Sequence, residues 1–293
     1  MRGLIIGCGY VGLSLGAELV RQGHEVSGIR RAPGSEPVLR EAGIDPLITD
    51  ITQAHELAKI PPHYNWVVNC VSSTHGGVRE YEAVYLQGTR NLIEWLAPAP
   101  PQKFIYTSST SVYGQNDGSI VDETSPAEPQ LETAKILVAA ENLLLQAAKA
   151  RKFPAIILRI AGIYGPRRGY WFKQYLNGEA RIEGKGERIL NMIQRDDVIG
   201  AIVAALRSGR PGEVYNAVDD EPVAQIDFFR WLAERTGLSL PGNAAGERIS
   251  GGKRGRTNKR ISNLKLRREL GYRFKYPTFR EGYDTAVESC SSG

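Results

Sequence analysis

The sequence predicts an α/β protein built on a doubly wound parallel sheet, with a small C-terminal lobe. Three observations carry this reading. Short apolar runs alternate with stretches of helical periodicity as far as residue 160, the pattern of right-handed βαβ units. A glycine loop, Gly7-Cys8-Gly9-Tyr10-Val11-Gly12, joins the first apolar run to the first periodic stretch. A length of 293 residues suits one large α/β domain with a modest appendage.

Leu4-Ile5-Ile6 is a short apolar run bounded by glycine and reads as a buried strand. Gly12 to Gln22 reads as a helix: Leu13, Ala17 and Val20 share a face, and Gly23 terminates it. Strands follow at Glu25 to Ile29, Pro46 to Thr49 and Trp66 to Val71, with a short helix at Val38 to Ala42. Arg79 to Leu96 has helical spacing through Val84, Leu92 and Trp95, and the Pro98-Ala99-Pro100-Pro101 cluster ends it. Phe104 to Thr107 is the fifth strand, Gly114 to Gln130 a polar loop, Leu131 to Ala150 a helix and Ala155 to Ile160 the sixth strand.

Beyond residue 165 the alternation weakens. Helices are expected at Tyr170 to Leu176, Val198 to Leu206, Phe228 to Arg235 and Leu264 to Leu270, and strands at Ile189 to Ile193 and Val214 to Ala217. Pro241 to Gly255 is glycine-rich and polar, as a mobile loop would be. The expected division is a dinucleotide-binding core over 1–165, completed by about 189–220, and a substrate lobe from 166–188 and 221–293.

Composition narrows the function classes. A hydrophobic content of 42% and a charged content of 24% are those of an ordinary globular chain, not a disordered one. The net charge of +5 gathers mostly after residue 250, so the surface as a whole is no nucleic-acid footprint. Cys8, Cys70 and Cys290 are too scattered for a disulfide framework, which points to a reducing, cytoplasmic setting. His24, His55, His63 and His75 lack ligand spacing, so no metal is expected. Glycines at 7, 9, 12 and 16 break any signal-like helix. No apolar stretch reaches the roughly 18 residues of a membrane span, so no membrane partner is expected.

The glycine loop is the first chemical motif. Gly7 permits the tight turn, Gly9 lets the backbone approach a pyrophosphate, and Gly12 lets the helix pack on the strand. Free amides of Tyr10, Val11 and Gly12 at the helix start would favour the anion. This is the Rossmann context: the loop follows a strand and opens a helix. At the end of the second strand, where an acid would bind the ribose 2′-hydroxyl of NAD, stand Arg30 and Arg31. Guanidinium groups suit a 2′-phosphate, so NADP is preferred over NAD. Asp50 and Ile51, after the third strand, are placed at the adenine pocket, or Asp50 caps a helix over Ile51 to Ala58. Ser108, Ser109 and Ser111 sit at the C-terminal edge of the sheet, where open α/β folds bind ligands.

The motifs occur in a recognisable order: Gly7-x-Gly9-x-x-Gly12, Ser109-Thr110-Ser111-Val112-Tyr113-Gly114, Leu158 to Arg167, Arg195-Asp196-Asp197-Val198, Gly212 to Ala217 and Lys259-Arg260-Ile261-Ser262-Asn263. Over nearly its whole length the chain resembles the NAD-dependent epimerase/dehydratase family, the extended short-chain dehydrogenases. It looks most like an atypical bacterial branch that lacks the usual active site. The resemblance implies Ser109 as the catalytic Ser/Thr and Lys135 as the lysine that binds the nicotinamide ribose. It puts Leu131 at the proton-donating tyrosine, four residues before the lysine, and Tyr85 at a position usually held by Asn. Two functions therefore compete: an oxidoreductase or epimerase acting on a small sugar-like molecule, of which a nucleotide sugar is one candidate, and a non-catalytic NADP-binding sensor or scaffold. The resemblance is compatible with a monomer or a homodimer. Between Lys253 and Lys275 lie ten Lys or Arg and one acid, a segment suited to clamping a diphosphate or to being a solvated helix. It lacks the interleaved aromatics of a nucleic-acid binder.

Overall fold

The computed structural model describes residues 1–244 and 257–291. The apolar runs become strands and the periodic stretches helices. In chain order these are β1 (Arg2–Ile6), α1 (Gly12–Arg21), β2 (Glu25–Arg30), α2 (Glu36–Glu41), β3 (Asp45–Ile48), α3 (Ala54–Leu57), β4 (Trp66–Asn69), α4 (Val78–Tyr81), a π-helical segment (Glu82–Gln87) and α5 (Gly88–Leu96). Then come β5 (Lys103–Ser109), a 3₁₀ turn (Thr110–Val112), β6 (Ile120–Val121), α6 (Glu132–Arg151), β7 (Ala155–Ile160), β8 (Gly162–Tyr164) and α7 (Tyr170–Leu176). The remainder is β9 (Ile189–Leu190), β10 (Met192–Gln194), α8 (Arg195–Ser208), β11 (Val214–Ala217), β12 (Val223–Ala224), α9 (Gln225–Thr236), β13 (Arg260–Ile261), α10 (Leu264–Leu270) and α11 (Phe279–Ser291).

The central sheet has seven strands in the order β11-β7-β5-β4-β1-β2-β3, all paired in parallel. Helices cover both faces, so β4 and β7 are buried along their whole length, as parallel strands must be. The fold is thus the Rossmann-like doubly wound sheet. Strand order reverses between β1 and β4, and that switch point opens a crevice at the carboxyl ends of the strands.

Two cores form. The larger runs under the sheet and takes in Ile261, Leu266 and Leu270 from the C-terminal third. The smaller is aromatic: Phe172, Tyr175, Phe228, Phe229, Phe279 and Tyr283 pack with Tyr164, whose ring stacks on Tyr283 at 4.3 Å.

The local differences from expectation have identifiable causes. The helix expected over Arg79 to Leu96 widens into a π turn at Glu82–Gln87, turning Tyr85 inward. The strand expected over Ile189 to Ile193 divides at Asn191. Its side chain donates to the Lys259 carbonyl and accepts from Ile261 N–H, both at 2.9 Å, so β9 and β10 leave in different sheets. The loop from Gly114 to Gln130 holds β6, which pairs with β13 in parallel. Of the loop expected over Pro241 to Gly255, residues 245–255 lie outside the described residues.

Candidate functional site

The switch-point crevice is a cleft of about 1100 Å³. One wall is the glycine loop. Gly7 adopts φ +85°, and a Cβ there would lie 2.7 Å from the Val71 amide nitrogen at the end of β4. A Cβ at Gly12 would lie 2.4 Å from the Gly7 carbonyl oxygen, whereas at Gly9 it would meet nothing within 4 Å. The first and third glycines are needed by the protein itself. The second leaves open space beside the start of α1, which a diphosphate fits. Gly7, Gly9, Tyr10 and Val11 line the cleft, as do Arg30, Arg31, Asp50 and Ile51. Asp50 is not a helix cap, because α3 begins later, after Gln53. Its carboxylate accepts from the Thr52 N–H at 2.9 Å in a local turn.

The opposite wall carries Ser108, Ser109, Thr110 and Ser111. Ser109 Oγ accepts from the Ser111 N–H at 3.2 Å and starts the 3₁₀ turn. Ser108 turns inward instead, donating to Glu141 at 2.5 Å. Glu141 forms a buried pair with Arg159, whose Nη1 donates to the Tyr113 hydroxyl at 2.9 Å; that hydroxyl donates to Asn216 at 2.9 Å. Tyr113 is therefore a structural phenol. Tyr85 lines the cleft, its hydroxyl accepting from the Ser73 N–H at 3.1 Å. Burial pushes its pKa up.

Helix α6 departs from the expected register. Leu131 is the exposed residue preceding the helix, and Lys135 pairs with Glu132 at 2.7 Å on the outer face. Lys135 borders a shallow depression with Ala127 to Gln130 and does not line the cleft. The residue that α6 presents to the cleft is Leu137, with Thr133 one turn earlier. The helix phase, set by burying Ile136, Leu137, Ala140, Glu141 and Leu144, carries Lys135 outward. Positions 133 and 137 are the pair that this helix phase offers in place of 131 and 135, and neither carries a phenol or an amine. Thr133→Tyr with Leu137→Lys is expected to raise NADPH-dependent turnover at least about tenfold, given the 10²–10⁴-fold worth of general acid help. Leu131→Tyr is expected to leave it unchanged; a rate gain from Leu131→Tyr alone would reverse the assignment.

The lobe side was largely invisible in the sequence. It brings Arg168, Lys173, Arg188 and Lys259 to the cleft, and among the described residues the only carboxylate lining the whole cleft is Asp50. Arg168 and Arg195 lie over the Tyr10 ring at 4.9 and 5.3 Å, and Tyr10 donates to the Pro166 carbonyl at 3.0 Å, which ties the glycine loop to the lobe. Of the described basic residues in 253–275, only Lys259 lines the cleft. Arg260 donates to the Gly118 carbonyl, Lys265 pairs with Glu213 and Arg267 with Asp220, so that segment is mostly a braced surface. Lys253, Arg254 and Arg256 lie outside the described residues. The signal that could have exposed Lys259 is its two-residue spacing from the apolar Ile261, which puts both on the same side of extended chain.

The fold and cleft define a dinucleotide-binding protein of the doubly wound class. The family model described as NAD dependent epimerase/dehydratase matches residues 4–217, and the chain belongs to that family. It is 28% identical to Protein YeeZ of Escherichia coli over 283 residues, 93% of this chain and 95% of that one. A solved structure of a putative NAD-dependent epimerase/dehydratase from Methylobacillus flagellatus is 33% identical, covers 98% of both chains and superposes with a TM-score of 0.77. UDP-glucuronic acid 4-epimerase from Bacillus cereus, solved with UDP-glucuronic acid and NAD, shares the fold at TM-score 0.82 and 22% identity, covering 100% of this chain and 99% of that chain.

Proposed function

We propose that the protein is an NADP-dependent oxidoreductase or epimerase acting on an anionic, sugar-like small molecule, a nucleotide sugar being the leading candidate. One observation carries the reading: a single cleft joins the glycine loop and Arg30–Arg31 to a hydroxyl-rich strand edge and a wall of four cations, with Asp50 the only carboxylate lining it among the described residues. A sequestered positive wall concentrates and orients an anion. The relative solved with UDP-glucuronic acid and NAD supports the substrate class.

NADP, when bound, supplies or accepts a hydride. The chain's residues bind and orient. Gly9 leaves room for the diphosphate, and Arg30 and Arg31 provide charge-assisted donors for a 2′-phosphate. Ser109 accepts from Ser111, which leaves its own hydroxyl proton to donate to a substrate oxygen. Arg168, Lys173 and Arg188 face the anionic part of the substrate.

Titration of NADP and NAD against tryptophan fluorescence tests the cofactor. NADP is expected to bind tighter, and Arg30→Ala to weaken NADP alone by about 1.5–3 kcal/mol, the worth of a charged hydrogen bond. Equal or tighter NAD binding rejects the preference. Leu137 and Thr133 support a second reading, a non-catalytic NADP-binding sensor. Oxidation of NADPH with a panel of nucleotide sugars and keto sugars separates the two, because a sensor binds and does not turn over.

A further inference from the structure

We propose that Lys259 Nζ exchanges the proton with the reacting oxygen of the substrate, the task that helix α6 leaves unfilled. The inference rests on the oxidoreductase reading above. Lys259 is 4% exposed, yet it lines the cleft. It stands immediately before β13, which the pairing of Arg260 with Ile120 fixes against β6. Its ammonium donates to the Tyr113 carbonyl and to Thr257 Oγ1, both at 2.8 Å. Tyr113 closes the 3₁₀ turn that Ser109 opens. The amine is thus anchored to the backbone at the end of the turn that Ser109 opens.

An ammonium has three donors. Among the described residues these two acceptors are its hydrogen-bond partners, so a third donor remains for a ligand. It has no carboxylate counter-ion among the described residues. The charged group that acts on it is Arg188, which is itself paired with Glu183 at 3.1 Å. Burial first, and repulsion by Arg188 second, push the Lys259 pKa down to about 8. Such an amine is mostly charged at neutral pH and gives up its proton readily, which suits an acid–base group. Tyr85 is the alternative, but burial pushes its pKa in the unhelpful direction. In reduction, the carbonyl carbon gains a hydride, its oxygen gains the proton from Nζ, one N–H bond breaks, one O–H bond forms, and solvent restores the ammonium. Oxidation runs the same step backwards, from the neutral amine.

The test has two arms on the full chain. In the first, pulse acetylation with acetic anhydride over a pH series, mapped by peptide mass spectrometry, reads the amine without any substrate. Lys259 modification is expected to reach half its plateau near pH 8. In the second, Lys259→Met and Lys259→Arg are assayed with NADPH and the nucleotide-sugar panel. Both variants are expected to lose on the order of 10²-fold in kcat, with NADPH affinity and Tm close to wild type. The wild-type reduction rate is expected to fall above about pH 8, as the ammonium is lost, and the reverse rate to rise. Arginine keeps the charge but releases no proton, so full rate and an unchanged pH profile in Lys259→Arg overturn the proposal. So does a midpoint near 10 or an amine that the reagent never reaches. Absent turnover across the panel by the unmodified protein overturns this proposal and the enzyme reading together. Failure of NADPH to bind, with Lys259 still titrating near 8, overturns the cofactor reading alone.

Discussion

Glu141→Gln is expected to destabilise the protein by about 3–5 kcal/mol, the cost of leaving one member of a buried ion pair without its partner. Glu141 and Arg159 are 1% and 6% exposed. The guanidinium reaches the carboxylate through Nη2 at 2.6 Å and through Nε at 3.1 and 3.2 Å, and it covers the Tyr113 ring at 4.8 Å. Glutamine keeps one acceptor but turns an amide donor toward a buried cation that cannot deprotonate. The loss reaches beyond two side chains. Ser108 on β5, Glu141 on α6, Arg159 on β7 and Asn216 on β11 are joined through one connected set of hydrogen bonds, and Asn216 Nδ2 continues it to the Ser262 carbonyl. Urea unfolding is the measurement: the midpoint should fall with an unchanged slope. Ser108→Ala should cost less, because it removes one donor and no charge, and its effect should not add to that of Glu141→Gln. A Glu141→Gln midpoint equal to wild type would mean that the pair does not hold these elements together.

Gly7→Ala is the second large effect. The positive φ of Gly7 costs an L-residue about 1–3 kcal/mol. The added Cβ would also sit 2.7–2.8 Å from backbone atoms of Cys70 and Val71. Those atoms cannot yield easily, since the Cys70 N–H donates to the Ile6 carbonyl at 2.7 Å. Overpacking of this kind adds about 1–3 kcal/mol. Gly7→Ala should therefore lower Tm and weaken NADPH binding together. Gly9→Ala separates the two effects. Its Cβ meets no protein atom within 4 Å, so stability should hold within about 0.5 kcal/mol. The methyl group would still occupy the space proposed for the diphosphate, and NADPH affinity should fall at least tenfold. Undiminished NADPH binding by Gly9→Ala would remove the diphosphate from that place.

Local signals were strongest where one short stretch of chain decides its own structure. The strands β1, β4, β5 and β7 are apolar enough to be buried wherever they go, and Gly12 to Gln22 has the spacing and glycine stop of a helix. That the glycine loop, Arg30, Arg31 and Asp50 line one cleft was readable for the same reason: each follows directly from a strand end. Helix α6 shows the limit. Its existence was legible, but its rotation about its own axis was not. A helix carries apolar residues at several phases, and the buried Glu141 reads as polar until Arg159 and Ser108 arrive from β7 and β5. A phase error of two residues moves a side chain by about 200°, given 3.6 residues per turn. That separates Lys135, on the outer face, from Leu137, in the cleft.

The doubly wound α/β architecture, the glycine loop and the hydroxyl-rich strand edge are legible from the residues alone, because each is encoded within one strand and the turn after it. Which residues complete the cleft was settled by long-range packing. Arg168, Arg188 and Lys259 are 20 residues or more apart along the chain, and Lys259 reaches the Tyr113 turn across 146 residues. Such meetings are set by how β13 pairs with β6 and how the aromatic core seats the lobe, and long-range pairing leaves no periodic trace in the residues that it joins.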